Sequence, residues 1–212
     1  MQSMKEKTID FYNINAASYF NSTVGVDMSE AYVSFTKFVK PQGIIMDIGA
    51  GSGRDIKYFM KAGFEVYGID ASEELCMMST EYTGAIIRCQ RIQDWMPHIQ
   101  YDGVWANASL IHLPIEDINI FIQRLPRILS DFGVLYLSLK EGLCEGIDEE
   151  GRYFNGLSVD YISSALSTVK ELSILENWIS EDVLARTNIK WRNIIIGKQR
   201  RNEYEFEGCR NL

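Results

Sequence analysis

Apolar positions along the chain fall into two alternating patterns: short continuous runs, and stripes at helical spacing. The run IIMDI at 44–48 suits a buried strand, and beyond the glycines that follow it Ile56, Phe59 and Met60 mark one face of a helix over 54–62. Gly63 closes that helix and FEVYGID at 64–70 is a second strand. Ser72 is a helix N-cap, and Glu73 and Glu74 place carboxylates in the first turn, where the helix dipole favours them. The alternation continues with strands at 85–89, 103–108 and 133–139 and helices at 115–128 and 158–167. Two last strands are expected at 172–178 and 191–197. Strands alternating with helices predict a parallel sheet covered on both faces.

Two segments depart from this rhythm. The first forty residues hold two amphipathic helical stretches; the second is opened by Asp27-Met28-Ser29-Glu30, a variant of the capping box, ahead of Tyr32, Phe35 and Phe38. They precede the first strand and are placed to cover its ligand edge. The segment 140–156, KEGLCEGIDEEGRYFNG, is glycine-rich, acidic and too long for a routine connection, which marks a functional or a disordered loop. Pro126 lies inside the helix before the fifth strand, where a lost backbone hydrogen bond predicts an interruption and a kink.

Composition narrows the class. The 212 residues, 46% of them hydrophobic, suit one domain over 1–198, with 199–212 expected as a flexible tail. A net charge of −8 repels polyanions and disfavours nucleic acid as partner. Four widely spaced cysteines form no CxxC pair and have two histidines for company, so neither a zinc site nor a disulfide framework is suggested, and a reducing compartment fits. No apolar run has the form of a signal peptide or the length of a membrane span, and the expected location is the cytoplasm.

The glycine segment carries the chemistry. Gly49, Gly51 and Gly53 form G-A-G-S-G, whereas the dinucleotide fingerprint G-x-G-x-x-G needs its third glycine where Arg54 stands. Asp47, two residues before the first glycine, would repel a diphosphate but attract an ammonium or sulfonium, directly or through water. S-adenosylmethionine has both. Asp70, 21 residues beyond Gly49 at the end of the second strand, stands where an acidic residue accepts the ribose hydroxyls in a nucleoside-binding βαβ unit.

IIMDIGAGSGRD, VYGIDAS, YDGVWANASLIHLP and GVLYLSLK resemble, in this order, the motifs of the class I S-adenosylmethionine-dependent methyltransferases. GSGRD, ASLIH and GRYF resemble the small bacterial branch called tellurite-resistance-like or general methyltransferase domain. The resemblance covers about Tyr12 to Lys198 and implies a Rossmann-like seven-stranded, mostly parallel α/β sheet with helices on both faces. It further implies an antiparallel last strand inserted beside the sixth and an N-terminal helical lid over 1–40. Carried over by position, Gly49, Ala50 and Gly51 lie against the methionine moiety, Asp70 holds the ribose and Ala71 lies beside the adenine. Gln93 and Asp94 meet the adenine edge, Asn107 lines the methyl-transfer pocket, and Tyr12 and Tyr19 belong to the lid. Arg54 either meets the cofactor carboxylate or ties the loop to the N-terminal helices.

Methyl transfer from a sulfonium is an in-line displacement with an activated leaving group, so a base is optional. His112 is either that base or a histidine fixing the loop before Pro114. Arg152 and Tyr153 in GRYF either clamp an anionic or aromatic acceptor or anchor the loop, with Arg152 paired to Glu149 or Glu150. No metal is expected. The leading expectation is a methyltransferase acting on a small molecule, as a monomer or homodimer. The alternatives are an RNA or protein methyltransferase and a catalytically silent cofactor-binding module.

Overall fold

A computed structural model describes residues 4–199. The expected tail therefore lies, apart from Gln199, outside the described residues; the Gln199 N–H donates to the Glu171 carbonyl at 2.8 Å. Three helices precede the sheet: α1 (Met4–Ile14), α2 (Ala16–Thr23) and α3 (Ser29–Thr36). The sequence pattern had merged α1 and α2 into one stretch. Asn15 separates them, leaving helical geometry at ψ 12° while its side chain donates to the Phe11 carbonyl. At α3 the expected capping box takes another form: Asp27 accepts from the N–H and the hydroxyl of Ser29.

The alternating part follows as β1 (Ile44–Ile48), α4 (Arg54–Lys61), β2 (Glu65–Asp70), α5 (Glu73–Thr83), β3 (Ile86–Cys89) and β4 (Tyr101–Ala106). After a 3₁₀ turn at Leu110–His112 come α6 (Ile115–Ile128) and β5 (Leu129–Lys140). The segment expected as an irregular loop contains a small hairpin, β6 (Gly146–Ile147) and β7 (Tyr153–Phe154). The chain ends through α7 (Val159–Leu166), β8 (Leu172–Glu181) and β9 (Lys190–Lys198).

Seven strands form one sheet in the order β3-β2-β1-β4-β5-β9-β8. β1 to β5 pair in parallel, while β9 runs antiparallel between β5 and β8. This is the Rossmann-like sheet with an inserted antiparallel strand that the resemblance implied. Pro126 does not interrupt α6, which continues to Ile128. The proline removes its own bond to the Ile122 carbonyl, but only two helical residues follow it, and the N–H of Leu129 still reaches the Leu125 carbonyl.

Side-chain parity divides the core into two layers. Met46, Val104, Leu135 and Ile194 pack on one face with Phe121 and Leu125 of α6 and Ile162 of α7. Ile45, Trp105, Tyr136 and Ile195 pack on the other with Phe35 of α3 and Phe59 of α4. Trp105 stacks on Tyr136 at 3.8 Å between ring centroids, and both are fully buried. The order of connection reverses between β1 and β4, and it is outside the carboxyl ends of strands at such a reversal that ligands of open α/β sheets bind.

Candidate active site at the carboxyl edge of the sheet

The turn after β1 is held by the end of β2. The N–H groups of Gly49 and Ala50 both donate to the Ile69 carbonyl, at 2.8 and 3.0 Å, and the Gly51 N–H donates to Asp70 Oδ2 at 2.8 Å. The other Asp70 oxygen accepts the Ser72 N–H at 2.8 Å. Asp70 therefore supports the glycine turn and the following turn at once. Burial raises its pKa against the pull of these backbone donors.

Gly49 and Gly51 have positive φ, 77° and 52°, which favours glycine by itself. Space demands it too: a Cβ at Gly49 would come within 2.4 Å of Ser109 Cβ, and one at Gly51 within 3.2 Å of the Tyr19 ring. The turn is thus enclosed by the segment after β4 and by the N-terminal helices.

A cavity opens above this turn. Tyr12, Tyr19, Gly49, Gly51, Asp70, Ala71, Gln93, Asn107 and His112 all line it. Tyr12 and Tyr19 meet edge to face at 5.2 Å. Asn107 is oriented by Ser138, whose hydroxyl donates to Asn107 Oδ1 at 2.9 Å. Gln93 donates to Asp117 at 2.9 Å.

Six residues expected at the site do not line the cavity: Asp47, Ala50, Arg54, Asp94, Arg152 and Tyr153. Asp47 shares the strand parity of Ile45 and pairs in register with Trp105, so its side chain belongs to the α3 and α4 face beneath the turn. It is 1% exposed, its Oδ2 lacks a hydrogen-bond partner, and burial raises its pKa. Arg54 is held by Asp55 through Nε at 2.6 Å and Nη2 at 3.0 Å, and it reaches the Thr23 carbonyl at the end of α2. It thereby ties the turn to the N-terminal helices. Asp55 also accepts from Tyr32 and Trp105; burial raises its pKa, but Arg54 and these donors hold it below the ordinary value. Asp94 is exposed at the surface.

The opposite wall comes from distant segments. Nδ1 of His112 is 2.7 Å from the Tyr153 carbonyl, which only accepts, so Nδ1 carries the proton. Nε2 is then bare and accepts from the Tyr12 hydroxyl at 2.9 Å. Burial lowers the His112 pKa to about 4, which makes the ring neutral at pH 7. Thr8 of α1 accepts the Tyr153 N–H at 2.9 Å. Asn155, 2% exposed, donates to the carbonyls of Leu110 and Leu113 and clips the 3₁₀ turn to the hairpin.

Arg152 pairs with Asp148 at 2.7 Å and Glu150 at 2.6 Å and lies over the Phe11 ring at 4.7 Å. Its partners are therefore Asp148 and Glu150, with Glu149 not among its ion pairs. The Tyr153 side chain is buried and its hydroxyl donates to Glu145, away from the cavity. Ser109, Thr8 and Asn155 were missed in the sequence. Ser109 had a signal, its place in ASLIH after β4, and its buried Oγ lines the cavity without a hydrogen-bond partner.

A seven-stranded sheet in this order, with a glycine turn facing an acidic strand end at the reversal, defines the class I methyltransferase fold. Residues 46–137 match the family described as methyltransferase domain, and this stretch is a class I S-adenosylmethionine-dependent methyltransferase domain. That match is broader than the tellurite-resistance-like branch. No curated protein matches the chain.

Solved structures repeat the fold at low identity. One is Burkholderia thailandensis 1,6-didemethyltoxoflavin-N1-methyltransferase with 1,6-didemethyltoxoflavin and S-adenosylhomocysteine bound (15% identity, TM-score 0.73, covering 92% of this chain and 87% of that one). Another is magnesium protoporphyrin IX methyltransferase from Synechocystis with S-adenosylmethionine bound (17%, TM-score 0.70, 94% and 99%). A third is the ribosomal protein L11 methylase of Lactobacillus delbrueckii (20%, TM-score 0.56, 80% and 77%). Among the described residues no helix is long and apolar enough to cross a membrane, and no group of three or more His, Cys, Asp or Glu is arranged to hold a metal ion.

Proposed function

We propose that this enzyme methylates a small molecule that enters the cavity in nucleophilic form, beneath α1 and the β6–β7 hairpin. The observation carrying this reading is the neutral, tethered His112. With a pKa near 4, taking up a whole proton at pH 7 costs His112 about 4 kcal/mol, so it is a poor general base. It is well suited to orienting Tyr12. An acceptor that already bears a lone pair, such as a thiolate or oxyanion, needs no more than alignment in a water-poor pocket.

The residues fit S-adenosylmethionine, which supplies an electrophilic methyl group on sulfur. Asp70 accepts one bond from each of two backbone N–H groups and keeps further lone pairs for two hydroxyls. The glycine turn has no Cβ where the methionine end would approach, and the unpartnered Ser109 Oγ faces the same space. Ala71 and Gln93 form the adenine end, Asn107 faces the transferred methyl, and Tyr12 and Tyr19 close from the lid. Tyr153 contributes its backbone to orient His112, and Arg152 stitches the hairpin to α1.

The domain is read as one unit over 1–198, with 1–40 and 140–156 together forming the cover. The small-molecule substrates named for two of the similar structures support this acceptor class, as does the acidic charge balance. Free thiols at Cys76, Cys89 and Cys144 support a cytoplasmic location. The test is transfer of labelled methyl from S-adenosylmethionine to thiols, oxyanions, small carboxylates, bulk tRNA and a protein extract. Label in a small nucleophile supports the proposal; label only in tRNA or protein overturns it.

A further inference from the structure

The nucleoside end of the cavity rests on two thiols that methyl transfer does not use. Cys89 is the last residue of β3 and is exposed; strand register sets it beside Asp70. Cys76 lies in the first turns of α5 and is buried. Their sulfurs face consecutive carbonyls of one turn, Cys76 Sγ donating to Asp70 at 3.5 Å and Cys89 Sγ to Ala71 at 4.0 Å. Burial pushes the Cys76 thiol pKa up, and the nearby Asp70 carboxylate and Cys89 thiol add to that shift. Asp70 and Ala71 line the cavity, so the dithiol lies directly behind its wall.

We propose that Cys76 and Cys89 are a redox pair, joined by a hydroperoxide into a disulfide that weakens binding at the nucleoside end of the cavity. The exposed Cys89 sulfur attacks the terminal oxygen of the hydroperoxide. The O–O bond breaks, the alkoxide leaves as the alcohol with the thiol proton, and Cys89 becomes a sulfenic acid. The Cys76 sulfur then attacks the Cys89 sulfur, the S–O bond breaks, and hydroxide departs with the Cys76 proton as water. Both thiol hydrogens are gone, so the carbonyls of Asp70 and Ala71 each lose a donor. The end of β3 is then tied to α5, and the turn between them must adjust.

The crosslink rests on the two sulfurs meeting consecutive carbonyls of one turn; its coupling to ligand binding rests on the cofactor site proposed above. The experiment uses the full chain carrying Cys144→Ser and Cys209→Ser, treated with hydrogen peroxide or with dithiothreitol. Peptide mapping after alkylation should find one Cys76–Cys89 disulfide, reversed by dithiothreitol and abolished by Cys89→Ser. Calorimetry should show S-adenosylhomocysteine bound roughly two- to tenfold more weakly by the oxidised form, the effect of losing one or two weak hydrogen bonds. Over-oxidation of Cys89 without a crosslink overturns the pair. A crosslink with unchanged affinity overturns its coupling to the site. A reduced protein that binds no S-adenosylhomocysteine overturns the cofactor assignment and the coupling with it, leaving the crosslink to be judged by mass.

Discussion

The two walls of the cavity are built in opposite ways. The glycine-turn wall is made by backbone donors and one carboxylate between Gly49 and Ser72, close together in sequence. The lid wall is made by side chains whose partners are 41, 100 and 145 residues away: His112 with Tyr153, Tyr12 with His112, and Thr8 with Tyr153. The first wall is fixed once β1 and β2 pair; the second exists only when the whole domain has assembled. The cavity accordingly joins a locally specified half to a globally specified one.

The largest expected effect lies in the local wall. Asp70→Ala removes two charge-assisted hydrogen bonds, each worth roughly 1.5–3 kcal/mol, together with the hydroxyl acceptor. S-adenosylhomocysteine affinity should fall by about 100-fold or more in calorimetry, and Tm should fall with it because the glycine turn loses its support. Unchanged affinity would make Asp70 a turn residue only.

His112→Asn tests the distant wall. Asparagine keeps a donor for the Tyr153 carbonyl but loses the acceptor for Tyr12. In the native protein the His112 pKa is about 4 against an ordinary 6.5, so the unfolded chain binds more protons between these values. Stability should therefore fall as pH drops through this window, by up to about 3 kcal/mol, and His112→Asn should flatten the slope. Urea unfolding at pH 4.5 and 7 measures it; an equal slope in both proteins would refute the buried neutral ring.

Arg152→Ala should act less strongly, since its partners are partly exposed and such pairs are worth roughly 1 kcal/mol or less. Acceptor turnover should drop severalfold while S-adenosylhomocysteine affinity stays within about threefold, as expected if only the lid loosens. A collapse of cofactor affinity would place Arg152 in the other wall. The smallest effect is expected at Asp47. Its raised pKa means that its contribution to stability is present at low pH and is lost as pH rises through the folded value. Asp47→Asn should raise Tm near neutrality, by roughly 2–4 °C for each kcal/mol relieved.

The same division decides what was legible in the sequence. Alternating apolar patterns gave the sheet and its helices, because burial on both faces imposes period and length on each element. Gly49, Gly51 and Asp70 were legible because their roles are set by nearby backbone. Asp47 was misplaced although its strand parity with Ile45 was visible, since a carboxylate beside glycines drew attention from the face it shares. Arg152 was left between clamp and anchor because the choice depends on Phe11 and Asp148 meeting it in space. The hairpin escaped notice because strands of two residues carry no periodicity. Cys76 and Cys89 become neighbours only through the return of the chain from α5 into β3.

The Thr8–Tyr153 bond also sets an order of events during synthesis. Its partners are 145 residues apart, so at roughly 5–20 residues per second the N-terminal helix leaves the ribosome about 7–30 s before the backbone group it must hold. During that interval the aromatic residues Phe11, Tyr12 and Tyr19 have no hairpin to close against, while the glycine turn already has β2 beside it. A nascent chain can thus acquire the glycine-turn wall well before the wall that α1 and the hairpin form. The cavity is walled on both sides only after α1 is captured by a segment made much later.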